Sequence, residues 1–181
     1  MATTANTRII PLALRNRDND WRSDLERVDG ARPMLKEQSL WAIKVYRYGR
    51  SVDRRNGGFR KWLGTKLYWL SFRFVETLFG ISLPKEASVG PGLRIWHFGG
   101  IFINPGVVLG SGCTLRQGVT IGNRMDGGGV PHIGDNVEIG AYAQILGDIR
   151  IGNNCNIGAS AVVLCDVPDG KTAVGNPAKI I

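Results

Sequence analysis

From residue 85 to residue 163 apolar side chains recur at every sixth position. Val89, Ile95, Ile101, Val107, Cys113 and Val119 form one run, and Ile133, Ile139, Ile145, Ile151, Ile157 and Val163 form another. Glycine often follows the anchor, as in Val89-Gly90, Ile133-Gly134 and Ile151-Gly152. Four residues after the anchor stands a second inward candidate, often small: Ser111, Ala143, Cys155 and Ala161. A helix repeats at about 3.6 residues and an amphipathic strand at about 2, so a period of six fits neither alone. It predicts a parallel β-helix, in which each hexad supplies one short strand and one turn, and stacked coils bury a continuous interior. Three hexads to a coil give about four coils over residues 81–181. Val119 and Ile133 are fourteen residues apart where six would continue the repeat. Eight residues, 125–132 (MDGGGVPH), are therefore predicted to leave the coil as an extruded loop.

Upstream the pattern is helical. Trp41, Val45, Tyr48 and Val52 fall on one helical face, and Asn56-Gly57-Gly58 breaks that helix. Leu63, Leu67, Leu70, Phe74 and Leu78 mark a second helix, which Gly80 stops. This helix is apolar on its other flank too, through Trp62, Trp69, Phe72 and Phe79, so something must cover it. Subunit packing is the first expectation and a membrane interface the second. Residues 33–80 thus form an α-helical region. Residues 1–32 are charged and weakly apolar, and the first fifteen or so are expected to be flexible.

Charge separates the two regions. Residues 1–80 carry 16 Lys/Arg against 8 Asp/Glu, whereas residues 81–181 carry 7 of each. The net +8 therefore lies wholly in the N-terminal part, which would favour phosphates of a membrane or an acidic glycan. The basic residues follow no nucleic-acid recognition pattern, so nucleic acid is not an expected partner. Three cysteines (Cys113, Cys155, Cys165) are too few for a disulfide framework, and buried free thiols in a cytosolic protein are the default. The N-terminus has no secretory h-region, and Arg60, Lys61, Lys66, Arg73 and Glu76 interrupt the nearest approach to a membrane span. A cytosolic location is expected, at the inner face of the membrane if the basic helices touch it.

Several motifs of the second half follow one family in order. They are His97-Phe98-Gly99-Gly100-Ile101, Gln117-Gly118-Val119-Thr120-Ile121-Gly122, Pro131-His132-Ile133-Gly134 and Ile139-Gly140-Ala141, with the ending Gly175-Asn176-Pro177-Ala178-Lys179. The chain resembles the serine acetyltransferase branch of the hexapeptide-repeat transferases, and within it the colanic-acid and related polysaccharide O-acetyltransferases. The resemblance covers residues 80–181. It implies a left-handed β-helix, a homotrimer with a site in each cleft between subunits, and acetyl-CoA as donor. It makes His97 the catalytic histidine, Gly140, Ala141, Gly158 and Ala159 the bed of the pantetheine arm, and Lys179 the partner of the CoA phosphates. An imidazole suits this chemistry, because an alcohol needs its proton removed to attack a thioester at neutral pH.

Departures from the family bear on the acceptor. Serine acetyltransferases have Asp before the histidine, where this chain has Trp96. They have Arg-His before the loop Pro, where it has Gly129-Val130, and a carboxylate fifteen residues before the histidine, where it has Ser82. A sugar or glycan hydroxyl is therefore the expected acceptor, with Trp96, Asp126 and His132 as acceptor-side candidates; Asp126 and His132 are also candidates to orient His97. Serine as acceptor, and an inactive trimeric scaffold, are the alternatives. A γ-type carbonic anhydrase needs three zinc-binding histidines, and the chain has two, so no metal site is expected.

Overall fold

The computed structural model describes residues 17–28 and 32–181. The expected flexible first fifteen residues lie outside this range. Four helices, α1 (Arg17–Glu26), α2 (Pro33–Lys36), α3 (Ser39–Asp53) and α4 (Phe59–Phe79), precede a three-sided parallel β-solenoid matching a left-handed β-helix.

Sheet A stacks β1 (Ile81–Ser82), β4 (Ile101–Ile103), β7 (Thr120–Gly122), β10 (Gln144–Leu146) and β13 (Val162–Val163). Sheet B stacks β2 (Ser88–Val89), β5 (Val108–Leu109), β8 (His132–Ile133) and β11 (Arg150–Ile151). Sheet C stacks β3 (Arg94–Trp96), β6 (Thr114–Arg116), β9 (Glu138–Ile139), β12 (Asn156–Ile157) and β14 (Thr172–Val174), and β15 (Lys179–Ile180) closes it antiparallel. Sheet A thus counts about five turns, not four, because the first and last coils lack a clean hexad.

The register corrects the hexad reading. Ile95 stacks on Leu115 and Leu115 on Ile139, while Ile103 stacks on Ile121. The anchors after Ile95 are therefore Ile103, Leu109, Leu115 and Ile121. Ile101, Val107, Cys113 and Val119 fill the second inward position, and Cys113 takes the role expected of Ser111. Burial pushes the Cys113 thiol up to about 11. The slip arises because the first coil is longer: Val89 pairs with Leu109, twenty residues on, whereas Ile133 pairs with Ile151, eighteen on. Leu109 pairs with Ile133, twenty-four on, so the extruded segment adds six residues rather than eight. Pro131 and His132, assigned to the loop from the sequence, belong to the coil: the Pro131 carbonyl accepts from Val108 N–H, and His132 opens β8.

α3 lies across the open end of the solenoid and satisfies its edge. Ser39 Oγ donates to the Ile95 carbonyl at 2.9 Å. Tyr46 Oη donates to the Ala87 carbonyl and accepts from Val89 N–H, both at 2.9 Å. Arg47 donates to the carbonyls of Val89 and Gly90 and pairs with Asp24 of α1 at 2.8 Å. Burial works against the Arg47 charge, but the hydrogen bonds and charge of Asp24 outweigh it and hold the pKa above its usual value. Capping an edge in this way prevents strand-to-strand association. Arg27, just past α1, donates to the carbonyls of Gly92, Gly112 and Cys113. The segment 1–32 therefore includes a helix latched to the solenoid.

The apolar faces read from the helices are only partly those that are buried. α3 buries Leu40, Ile43 and Tyr46; of the face read from the sequence Val52 is fully buried, while Trp41, Val45 and Tyr48 turn toward α4. α4 buries Tyr68, Phe72 and Val75 and leaves its leucine stripe in solvent. Gly49 permits the close crossing of the two helices, since a Cβ there would lie 2.5 Å from the Tyr68 ring.

Candidate active site

His97 stands at the edge between sheets C and A, exposed, with φ 65°. A non-glycine residue in the left-handed region is strained, and such strain gathers at functional sites. The cause here is an insertion. Trp96 pairs with Arg116, and Gly99 carbonyl accepts from Gly118 N–H. Arg116 and Gln117 are adjacent, whereas two residues stand between Trp96 and Gly99. His97 and Phe98 are those two extra residues, pushed out of the coil.

The corner is held from below and above. Phe98 meets Phe79 of α4 edge-on, with centroids 6.1 Å apart. Gly80 ends α4 in the left-handed conformation, where a Cβ would come 3.1 Å from Gly100 N. The next coils continue the same edge: Gln117 carbonyl accepts from Tyr142 N–H, and Ala141 carbonyl accepts from Ser160 N–H. Gln117 Oε1 is buried at this edge with no hydrogen-bond partner among the described residues.

Gly140, Ala141, Gly158 and Ala159 lie on this edge above His97. At the usual strand spacing, Ala141 is two coils or about 10 Å up, and Ala159 three coils or about 14 Å up. The glycine amides are not free to meet a ligand: Gly140 N–H donates to Ile157 carbonyl and Gly158 N–H to Ala173 carbonyl. Their lack of a side chain serves coil stacking, since a Cβ on Gly140 would meet Ala159 N at 2.5 Å.

The free donors are instead the N–H groups of Ala141 and Ala159, which enter no hydrogen bond among the described residues. Equivalent amides at the edge between sheets B and C are capped by the coil above. Ser111 N–H donates to Asp135 Oδ1 at 2.6 Å, Asp135 N–H to Asn153 Oδ1 at 2.8 Å, and Asn153 N–H to Asp169 Oδ1 at 2.9 Å. At the His97 edge the capping side chain is replaced by alanine, which leaves a column of unused donors where a ligand carbonyl can sit. Lys179, in β15, is exposed at the top of sheet C, five strand spacings or about 24 Å above β3.

Trp96 projects outward from sheet C, 42% exposed, with the Arg94 guanidinium 4.1 Å from its ring centroid. Arg94 is buried, bonded to Glu37 through Nη2 at 3.2 Å, and its Nε and Nη1 have no hydrogen-bond partner among the described residues. The sequence reading missed Arg94, although a cation two positions before Trp96 on one strand is a visible signal. It also missed the neighbour of Ser82, whose Oγ donates to Glu76 Oε1 at 2.7 Å. A carboxylate thus reaches this position from α4.

Asp126 lies in the loop between sheets A and B, and His132 is exposed on sheet B between Val108 and Arg150. Neither is hydrogen-bonded to His97, which stands at a different edge of the same protomer. Within one chain the three therefore do not form a single site.

Residues 131–165 match the family described as bacterial transferase hexapeptide (six repeats). The putative colanic acid biosynthesis acetyltransferase WcaB of Escherichia coli is 46% identical over 106 residues, covering 58% of this chain and 65% of that protein. Soybean serine acetyltransferase superposes with a TM-score of 0.75 at 31% identity, covering 91% of this chain and 67% of that one. A serine acetyltransferase in complex with CoA superposes with a TM-score of 0.72 at 27% identity, covering 91% and 68%. The chain spans less than two thirds of the length of the curated relatives it matches.

Proposed function

Because the chain belongs to the serine acetyltransferase branch of the hexapeptide-repeat acyltransferases, we propose that it transfers an acetyl group from acetyl-CoA to a hydroxyl of a sugar or glycan precursor. The observation that carries this reading is the column of uncapped amides at Ala141 and Ala159 on the edge that bears His97. Those amides suit the carbonyls of a pantetheine arm running up the edge, with its phosphates toward Lys179, where a charge-assisted contact forms. The thioester end would then lie beside His97.

His97 acts as general base. Its imidazole takes the acceptor's proton as the hydroxyl oxygen bonds to the thioester carbonyl carbon. A backbone N–H at the corner steadies the tetrahedral oxyanion. Collapse breaks the C–S bond, and the imidazolium returns the proton to the CoA thiolate. A homotrimer supplies the second wall of the cleft, bringing Asp126 and His132 from a neighbour. Trp96, stiffened by the Arg94 stacked on it, offers a flat face to a sugar ring.

Serine as acceptor is the second reading, favoured by the relatives that carry the name serine acetyltransferase. Thiol release from acetyl-CoA, assayed with nucleotide sugars, lipid-linked sugars, oligosaccharides and serine, separates the two. Glycan-dependent release, lowered at least a hundredfold by His97→Ala with the oligomer mass unchanged, is the expected result. Turnover of serine alone overturns the acceptor assignment, and no CoA binding at all favours the scaffold.

A further inference from the structure

We propose that the exposed face of α4 is a docking surface for an anionic phospholipid bilayer. Phe59, Leu63, Leu67, Leu70, Phe74 and Leu78 are each 51–71% exposed and lie on one stripe of a helix about 30 Å long. The stripe continues into a groove of about 670 Å³ between α3 and α4, floored by Val45 and Tyr48. A contiguous apolar patch of this extent marks an interaction surface.

Charge selects the occupant. Residues 39–79 hold nine Lys/Arg and two Asp/Glu. Both carboxylates are already paired, Glu76 with Arg73 and Asp53 with Lys85. A two-fold pairing of this face with itself would set cations against cations, with no free carboxylate among residues 39–79 to oppose them. An anionic bilayer answers both features. Lys66 and Arg73, seven residues apart, border the stripe, and Trp62 and Trp69, also seven apart, stand beyond them on the same side. A Leu/Phe stripe flanked by cations and then by indoles makes the arrangement of an interfacial helix. Among the described residues no helix is long and apolar enough to cross a membrane, so α4 would lie on the surface.

The inference does not depend on the acetyl-transfer reading, because its test measures lipid binding alone. The full chain is floated with phosphatidylglycerol–phosphatidylethanolamine vesicles and with phosphatidylcholine vesicles, at low and high salt. Flotation with the anionic vesicles at low salt, and little with the neutral ones, is expected. Lys66→Glu/Arg73→Glu should weaken binding by about fivefold or more per cation. Leu70→Glu should abolish it while the circular dichroism melt stays as in the wild type. Absence of flotation with anionic vesicles at low salt overturns the proposal. So does a Leu70→Glu variant that loses oligomer mass yet floats like the wild type, which would make the face a contact between copies.

Discussion

Phe79, at the end of α4, and Phe98, in the inserted pair, meet edge-to-face at 6.1 Å and tie the helical region to the corner that carries His97. The coil keeps its bond at this corner, from Gly118 N–H to the Gly99 carbonyl, while the inserted pair lies outside the ladder and is held through the aromatic contact of Phe98. Phe98→Ala is expected to lower acetyl transfer by about tenfold or more through misplacement of His97. It should cost only about 1 kcal/mol in stability, because Phe98 is half exposed. Steady-state kinetics beside urea unfolding check the pair of outcomes; a large stability loss with unchanged turnover would refute it.

Capping distinguishes the ligand edge from the structural one. Ala159→Asn should place an acceptor over Ala141 N–H, as Asn153 does over Asp135 N–H. The expected effect is a KM for acetyl-CoA raised about tenfold, with the melting temperature kept or slightly increased. The converse substitution, Asn153→Ala, should cost about 1 kcal/mol and leave the KM alone. Kinetics and thermal melts of both variants read the contrast.

Asp24 is fully buried and holds Arg47 against the first coil while accepting from Leu93 N–H at 2.8 Å. Asp24→Ala leaves Arg47 with Asp20, at 3.8 Å, as its remaining carboxylate and leaves Leu93 N–H without its acceptor, and should destabilise the fold by about 2–3 kcal/mol. Denaturant unfolding of the variant, with wild-type stability as the refuting result, tests this.

Alkaline pH should destabilise the protein. Cys113 is pushed up to about 11 and Tyr68 to about 12, both by burial. Each folded value lies above the unfolded one, so the unfolded chain releases these protons first. The stability they contribute is complete below about pH 9 and is lost as pH rises toward 11 and 12. Cys113 alone accounts for about 2–3 kcal/mol across that window. Urea titrations at pH 8 and 10.5 should show the fall, and Cys113→Ala should flatten its lower part. At pH 8 iodoacetamide should modify the exposed Cys165 and spare Cys113 and Cys155 until the chain unfolds.

The hexad period determined the solenoid because only a stacked coil places a buried residue at every sixth position over so long a stretch. The glycine stop at Gly80 and the break at residues 56–58 were equally legible. Register was not. Two inward positions alternate in each hexad, as Ile101 and Ile103 do, so a two-residue insertion moves one class onto the period of the other without leaving a trace in hydrophobicity. Only strand pairing revealed that His97 and Phe98 are the insertion and that Pro131 and His132 belong to a coil. Helical faces were ambiguous for a related reason: α4 is apolar on both flanks, and its partner surface on α3, admitted by Gly49 beneath Tyr68, decides which flank is buried. Local pattern fixes which residues can be inside; which of them meet is decided by contacts between distant parts of the chain.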